Sequence, residues 1–345
     1  MNKSNCREGV KTAISVDPRP MGLPLKELTP VSDDPSDCQP RNQSHSPTPT
    51  SELTRRRLWS FVLFTLALLC CFSQPIYTLI RFAIQSDLYS HIILIPCISF
   101  YLIWVQRHQL ALDSSPSRRV AVVPFIAGAG IVAIAFSLHA PGGLQTQDYL
   151  ASVTLAALTL LWGGCVFIFG IAALRAVIFP LLFLIFIVPF PTSLQQHLET
   201  FFQVSSAAAA HLFFQISGTP VLQQGTAFQL PGFSFEVAPE CSGIHSSLVL
   251  FITSFVAGNL LLRNLWPKAL LVFFVVPLAI IRNGIRVFVI GQLCVHVSPD
   301  MIHSYIHRRG GPIFFAGSLI PFFLLLFFLK KFESNKRRSS VKQTA

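Results

Sequence analysis

Charge is scarce in this chain. Only 12% of its 345 residues are Asp, Glu, Lys or Arg, about half the share of a soluble domain. Most of those charges sit in the two tails and in short gaps between apolar runs. That distribution excludes a pair of ordinary soluble domains and fits one membrane-embedded body with polar ends. The eight cysteines form no CxxC pair and have no regular spacing, which argues against a disulfide framework or a zinc module. A Gly-rich phosphate loop, an HExxH zinc helix and a GxSxG elbow are all missing, so nucleotide, zinc-peptidase and serine-hydrolase chemistries have no foothold. No cofactor motif is present, and none is expected. No internal repeat and no cleavable leader is visible, since the first apolar run starts only after a long polar tail. Insertion is expected to use the first span itself.

Hydrophobic residues make up 52% of the chain, and they come in runs. Residues 1–54 are rich in Pro, Ser, Thr, Asp and Asn and cannot bury enough surface to fold, so a disordered tail is expected. Apolar runs follow at Leu58–Phe72 (with an extension toward Ile80 across Pro75), Leu88–Val105, Val120–Leu138, Tyr149–Gly170, Ala176–Phe190, Ser242–Leu262, Leu265–Ile281 and Pro312–Leu329. A helix of about 20 residues crosses the roughly 30 Å hydrocarbon core. The reading is an all-α, polytopic transmembrane bundle of about eight spans over residues 55–329, with a basic tail at 330–345.

The net charge is +11. Nucleic acid is not the expected partner, because the basic residues cluster beside spans instead of forming one stripe. Arg55, Arg56 and Arg57 precede the first span, and Lys330, Lys331, Lys336, Arg337 and Arg338 follow the last. With Arg107, Arg118, Arg119, Arg175, Arg263 and Lys268, these anchors place both termini in the cytoplasm by the positive-inside bias. Arg81, Arg282, Arg286, Arg308 and Arg309 then fall on the outer side. Arg282 is read as a headgroup anchor. The apolar segment 287–297 reads either as a continuation of the seventh helix or as a re-entrant piece.

The largest outer loop runs from Pro191 to Glu240. Its first part, Ser193–Ile216, is helical in character and suited to lie along the membrane. Phe228 and Leu230, then Phe233, Phe235 and Val237, alternate with polar residues around Pro231–Gly232, which predicts a short hairpin leading to Cys241.

Three elements meet on the outer face by this topology. They are Glu240-Cys241-Ser242-Gly243-Ile244-His245, Asn283-Gly284-Ile285-Arg286, and the stretch from His303 to Gly311. A cysteine nucleophile needs a thiolate, a proton carrier and a group that holds negative charge. A free thiol titrates near ~8.5, and a nearby cation favours its charged form. Arginine, always protonated, cannot be the base, but it can hold an oxyanion. Histidine can carry the proton to the leaving amine. Cys165, in mid-span, reads as a packing residue, and His91 reads as interfacial. His303 and His307 stand i and i+4, a spacing that suits a metal, but no convincing third ligand accompanies them, and no metal is expected.

The stretch Ala238-Pro239-Glu240-Cys241-Ser242-Gly243-Ile244 resembles the cysteine motif of the exosortase/archaeosortase family. Asn283 followed by Arg286 is similar to that family's N-x-x-R motif, and His307, four residues before Gly311, to its histidine motif. Tyr89-Ser90-His91, Pro189-Phe190-Pro191 and the stretch Gly218–Gly225 are similar too, so the likeness covers roughly Leu58–Leu329. It implies a multi-pass cysteine peptidase or transpeptidase of the cell inner membrane with its site on the periplasmic side. Such an enzyme cleaves C-terminal sorting signals of exported proteins through a thioester on the cysteine. Cys241 would be the nucleophile, Arg286 the oxyanion or thiolate stabiliser and His307 the proton carrier, ranked ahead of His303 and His245. The sequence departs from the pattern at His245, where many members carry Arg. The competing readings are a transporter, or an assembly subunit of a polysaccharide export system. The transporter would use Arg286 to bind an anionic substrate, and the assembly subunit needs none of the three residues.

Overall fold

The structure, a computed structural model, describes residues 49–107, 117–138, 145–238, 242–297 and 311–344. In lipid every backbone N–H and C=O must be satisfied within the segment, so apolar runs of this length become helices. They are α1 (Pro49–Cys71), α2 (Ser73–Gln85), a 3₁₀ turn at Asp87–Ile93 leading into α3 (Leu94–Gln106), α4 (Arg118–Leu138) and α5 (Thr146–Ala176). The short α6 (Ile178–Phe183) with its 3₁₀ tail Leu184–Ile187 comes next, then α7 (Thr192–Ile216). After three strands the chain ends in α8 (Ile244–Leu261), α9 (Leu265–His296) and α10 (Gly311–Thr344). Six of these segments are long and apolar enough to cross a bilayer alone. Two bent pairs bring the count to as many as eight. The chain is therefore a polytopic helical bundle, in line with the sequence expectation.

Two expected spans are broken. α1 and α2 meet at a bend of 73°, so the first run does not continue straight toward Ile80. Pro75 sits in the opening turn of α2, where its missing N–H costs nothing but a preceding turn could not bond to it. The fifth run yields only Ile178–Ile187 before the chain turns by 89° into α7. Pro189 and Pro191 end that helix, because neither supplies a donor and each forces the residue before it out of the helical region.

α5 packs against α1 and α4 through small residues. Phe125 lies against Gly163, and Phe64 lies so close over Gly164 that a Cβ there would collide with its ring. Close approach of this kind replaces the missing hydrophobic driving force between helices in lipid.

The second half of the chain positions the site. α9 runs on without a break to His296, which settles the alternative left open by the sequence. Its 32 residues span about 48 Å, so one end projects well beyond a bilayer core. α7 packs along that projecting end, and Gly284 meets Ala209 so closely that a Cβ would sit 2.7 Å from the alanine's own Cβ. The expected hairpin is present as β2 (Ala227–Leu230) and β3 (Phe233–Glu236), paired Phe228 to Phe235, with a further strand β1 (Leu222–Gln224) beside β2. Phe228 and Leu230 are buried with Phe214 of α7 and Val287 of α9, so the sheet is a lid on the α7–α9 pair. At the opposite end of α9, Glu333 of α10 accepts from the backbone N–H groups of Arg263 and Asn264. A carboxylate there satisfies the free donors of a helix start.

Candidate active site

The chain enters the cysteine motif from β3. Val237 is buried, its N–H donates to Thr226 O at 3.0 Å, and its carbonyl accepts from Gln203 of α7. Cys241 lies outside the described residues, as do His303 and His307. Description resumes at Ser242, which is buried. Gly243 follows with φ +74°, ψ 14°, and α8 begins at Ile244.

Gly243 has to be glycine for two reasons. Its backbone is left-handed, a conformation that disfavours side chains. A Cβ there would also lie 2.9 Å from Asn283 Oδ1 and 3.3 Å from Arg282 Nη2. The close fit lets α9 grip the motif. Asn283 Nδ2 donates to Ser242 O at 3.1 Å. Arg282 Nη2 donates to Gly243 O at 3.3 Å and to Ser247 Oγ at 3.2 Å. Ser247 Oγ in turn donates to Gly243 O at 2.7 Å. The two residues after Cys241 are thus locked to α9 across some forty positions of sequence.

Arg282 corrects an expectation. It does not reach out to headgroups. It is 6% exposed, and its charged end points at α8. Arg286, the arginine of the N-x-x-R pattern, lies one turn further along α9 and is half-buried. The two share a helix face by their i, i+4 spacing. Arg286 is about 32 Å along the axis from Leu265, the depth of one hydrocarbon core.

His245 stands in the first turn of α8, and its Nδ1 is buried with no partner among the described residues. His91 lies near enough for the two rings to feel each other's charge. The His91 Nδ1 is 3.0 Å from Leu88 O, which fixes the ring. Sequence reading took His91 as interfacial. The structure puts it between two cavities. One, of about 290 Å³, is lined by Tyr89, Ser152, Phe186, Pro189, Phe190 and Leu248. The other, of about 380 Å³, is an apolar groove between α3 and α8 that reaches down to Leu261.

A polar network holds the first cavity's wall. Gln147 Nε2 donates to Phe190 O at 2.8 Å, to Gln195 Oε1 at 2.7 Å and to the Tyr89 hydroxyl at 3.1 Å. The Tyr89 O–H donates to Gln195 Oε1 at 2.9 Å, and Gln195 donates to Glu199 at 2.8 Å. Asp148 accepts from Thr192 N at 2.6 Å. These bonds tie the Tyr89–His91 segment, the start of α5 and the start of α7 into one rim.

Sequence reasoning therefore found Arg286 and His245 on described elements near the motif. It missed the grip by Arg282, and it missed His91 as a neighbour of His245. An arginine inside a long apolar helix was itself a signal. Among the described residues, no three of His, Cys, Asp and Glu gather as a metal would require.

A family model described as Transmembrane exosortase matches residues 83–324, more than half of the chain. That span contains all of the site contacts above, while Phe64 and Glu333 lie outside it. No curated protein and no solved structure matches.

Proposed function

The chain belongs to the transmembrane exosortase family, and from that premise we propose that it is a cysteine peptidase or transpeptidase acting on C-terminal sorting signals of exported proteins. The family acts on proteins that bear sorting signals, in the membrane. The finer reading assigns Cys241 as nucleophile, Arg286 as holder of developing negative charge and His307 as proton carrier, with His303 and His245 behind it. The site would face the periplasm from the inner membrane.

One observation carries the proposal. Ser242 and Gly243, the residues after Cys241, are docked on Asn283 and its neighbour Arg282, one turn from Arg286. Two motifs far apart in sequence are thereby joined where α8 begins against α9. The chemistry follows. The Cys241 thiolate attacks the scissile carbonyl, and a C–S bond forms as the carbonyl oxygen takes the negative charge. The arginine holds that oxyanion. It collapses, the C–N bond breaks, and the leaving amine takes a proton from the imidazolium. Water or an acceptor nucleophile then attacks the thioester and gives its proton to the imidazole, and the thiolate departs.

The test is mass spectrometry of a sorting-signal protein's C-terminus in cells carrying the native chain, Cys241→Ala or no copy. The expected result is a truncated or conjugated C-terminus with the native chain only. Processing by Cys241→Ala at normal membrane levels would remove the reading.

A further inference from the structure

We propose that the groove between α3 and α8 seats an apolar helix of the substrate protein while its chain is still uncut. The proposal rests on the cysteine-peptidase reading and adds to it a docking surface within the bilayer.

The three faces of α8 account for the groove. On one face, Leu250 is buried in a cluster with Leu271 and Val275 of α9 and Phe322 of α10. On a second, Leu248 and Ile252 are buried with Ile95 of α3 and Phe183 of α6. The third carries Val249, Thr253, Ala257 and Leu260, which face Leu94 and Ile98 of α3 across a groove of about 380 Å³. Val249, Thr253 and Ala257 are only half-buried, so packing within the chain leaves this face open.

The groove suits a helix. From Val249 to Leu261 it follows α8 for about 18 Å, more than half of the roughly 30 Å hydrocarbon core. Its one hydroxyl, on Thr253, donates back to Val249 O at 2.8 Å. Below His91 the walls therefore offer no partner to an extended backbone, and a peptide lying there has to satisfy its own N–H and C=O groups, as a helix does. Thr253 and Ala257 stand i and i+4, and small residues at that spacing let a second helix approach closely.

The outer end of the groove leads to the candidate site. His91 closes that end and also lines the cavity of about 290 Å³ that includes Leu248. A chain leaving the groove at His91 enters this cavity beside the first turns of α8, the helix whose start is held on α9 through Ser242 and Gly243. The charges there select between occupants. Asp148 and Glu199 both act on the Tyr89 hydroxyl, and among the described residues no arginine or lysine lines either cavity. A phospholipid with its acyl chain in the groove would bring its phosphate toward two carboxylates with no cation to meet it. A peptide brings no such charge.

The experiment is site-specific photo-crosslinking in intact cells. The probe is a reporter fused to the C-terminal segment of an exported protein that the native chain truncates. The photoreactive residue p-benzoylphenylalanine replaces Leu260 in the groove or, as control, Val123 on α4, and both positions are exposed. Each is placed in a Cys241→Ala chain, so that the reporter stays uncut. The position 260 chain is expected to give a reporter adduct about tenfold above the position 123 chain, a difference that amounts to specific seating against random lipid-side encounter. Mass spectrometry should map the adduct to apolar residues on the C-terminal side of the cut, at the three- and four-residue spacing of one helix face. Ala257→Phe puts a ring into the groove and is expected to cut that adduct about tenfold at equal membrane levels.

Equal adducts at positions 260 and 123 overturn the proposal, as does an adduct at 260 with phospholipid alone or with a second copy of this chain. These results come from the chain without Ala257→Phe, so misfolding of that variant leaves the test intact. Truncation of the reporter by the native chain without an adduct at 260 removes the groove and spares the peptidase reading. Truncation that persists in Cys241→Ala, or that the native chain never performs, removes that reading and the proposal with it.

Discussion

Gly243→Ala tests whether the cysteine motif is gripped as tightly as the contacts imply. Two terms add. The left-handed backbone, φ +74°, costs a residue with a Cβ about 1–2 kcal/mol. The new methyl would also stand 2.9 Å from Asn283 Oδ1, so the Asn283 amide must withdraw from Ser242 O. Leaving that buried carbonyl unsatisfied costs a further ~1–3 kcal/mol. Gly225 provides the control. It has the same kind of backbone, φ +62°, and nothing within 4 Å of a Cβ, so Gly225→Ala incurs the first term alone. Thermal unfolding of both variants in the same detergent isolates the contact term. Gly243→Ala should melt lower than Gly225→Ala by roughly 3–10 °C, taking a few degrees per kcal/mol for a chain of this size. Sorting-signal processing should fall steeply in Gly243→Ala and persist in Gly225→Ala. Equal melting and equal activity of the two would refute the claim that α9 holds the motif at van der Waals distance.

Asn283→Asp replaces the donor to Ser242 O with an acceptor. It should destabilise by about 1–3 kcal/mol and lose processing more completely than Asn283→Ser, as read by melting temperature and by the C-terminal assay. Gln147→Leu removes the donor that joins Phe190, Gln195 and Tyr89. Hydrogen exchange at residues 190–196 should then rise while α9 stays protected. Gly284→Val drives a branched side chain into Ala209, and this overpacking costs about 1–3 kcal/mol. A compensating loss of volume at 209 is available only as Ala209→Gly, so that double variant should recover part of the melting temperature.

Much of this architecture was legible in the sequence because membrane helices announce themselves by length and apolarity alone. The hairpin was legible for a different reason. Phe228, Leu230, Phe233 and Phe235 alternate with polar residues about Pro231–Gly232, and only one face of the sheet is buried against Phe214 and Val287. The fate of Ala176–Phe190 was not legible in the same way. Its composition matches a span, but Pro189 and Pro191 decide where the helix stops, and the 89° turn depends on what α7 packs against. Arg282 shows the limit most clearly. An arginine at the end of an apolar run has the same signature whether it reaches for headgroups or turns inward. The difference is made by Gly243 and Ser247, some forty residues earlier in sequence, which no local pattern connects to it. His91 and His245 are further apart still in sequence, and only the packing of α8 on the 3₁₀ segment brings them within reach of each other's charge.

The parts that look accessory, the projecting end of α9, α7 and the three strands, acquire a common purpose around the cysteine motif. A helix needs only about 20 residues to cross the bilayer, and α9 has 32. The surplus gives α7 and the sheet a wall to pack on. α7 then holds Val237 through Gln203, and α9 holds Ser242 through Asn283. Only Ala238, Pro239, Glu240 and Cys241 lie between those two fixed points. Four residues of any conformation between two anchors have little closure entropy left to lose. On that argument, variants that loosen either anchor should lower activity more than variants of equal thermodynamic cost elsewhere in the bundle.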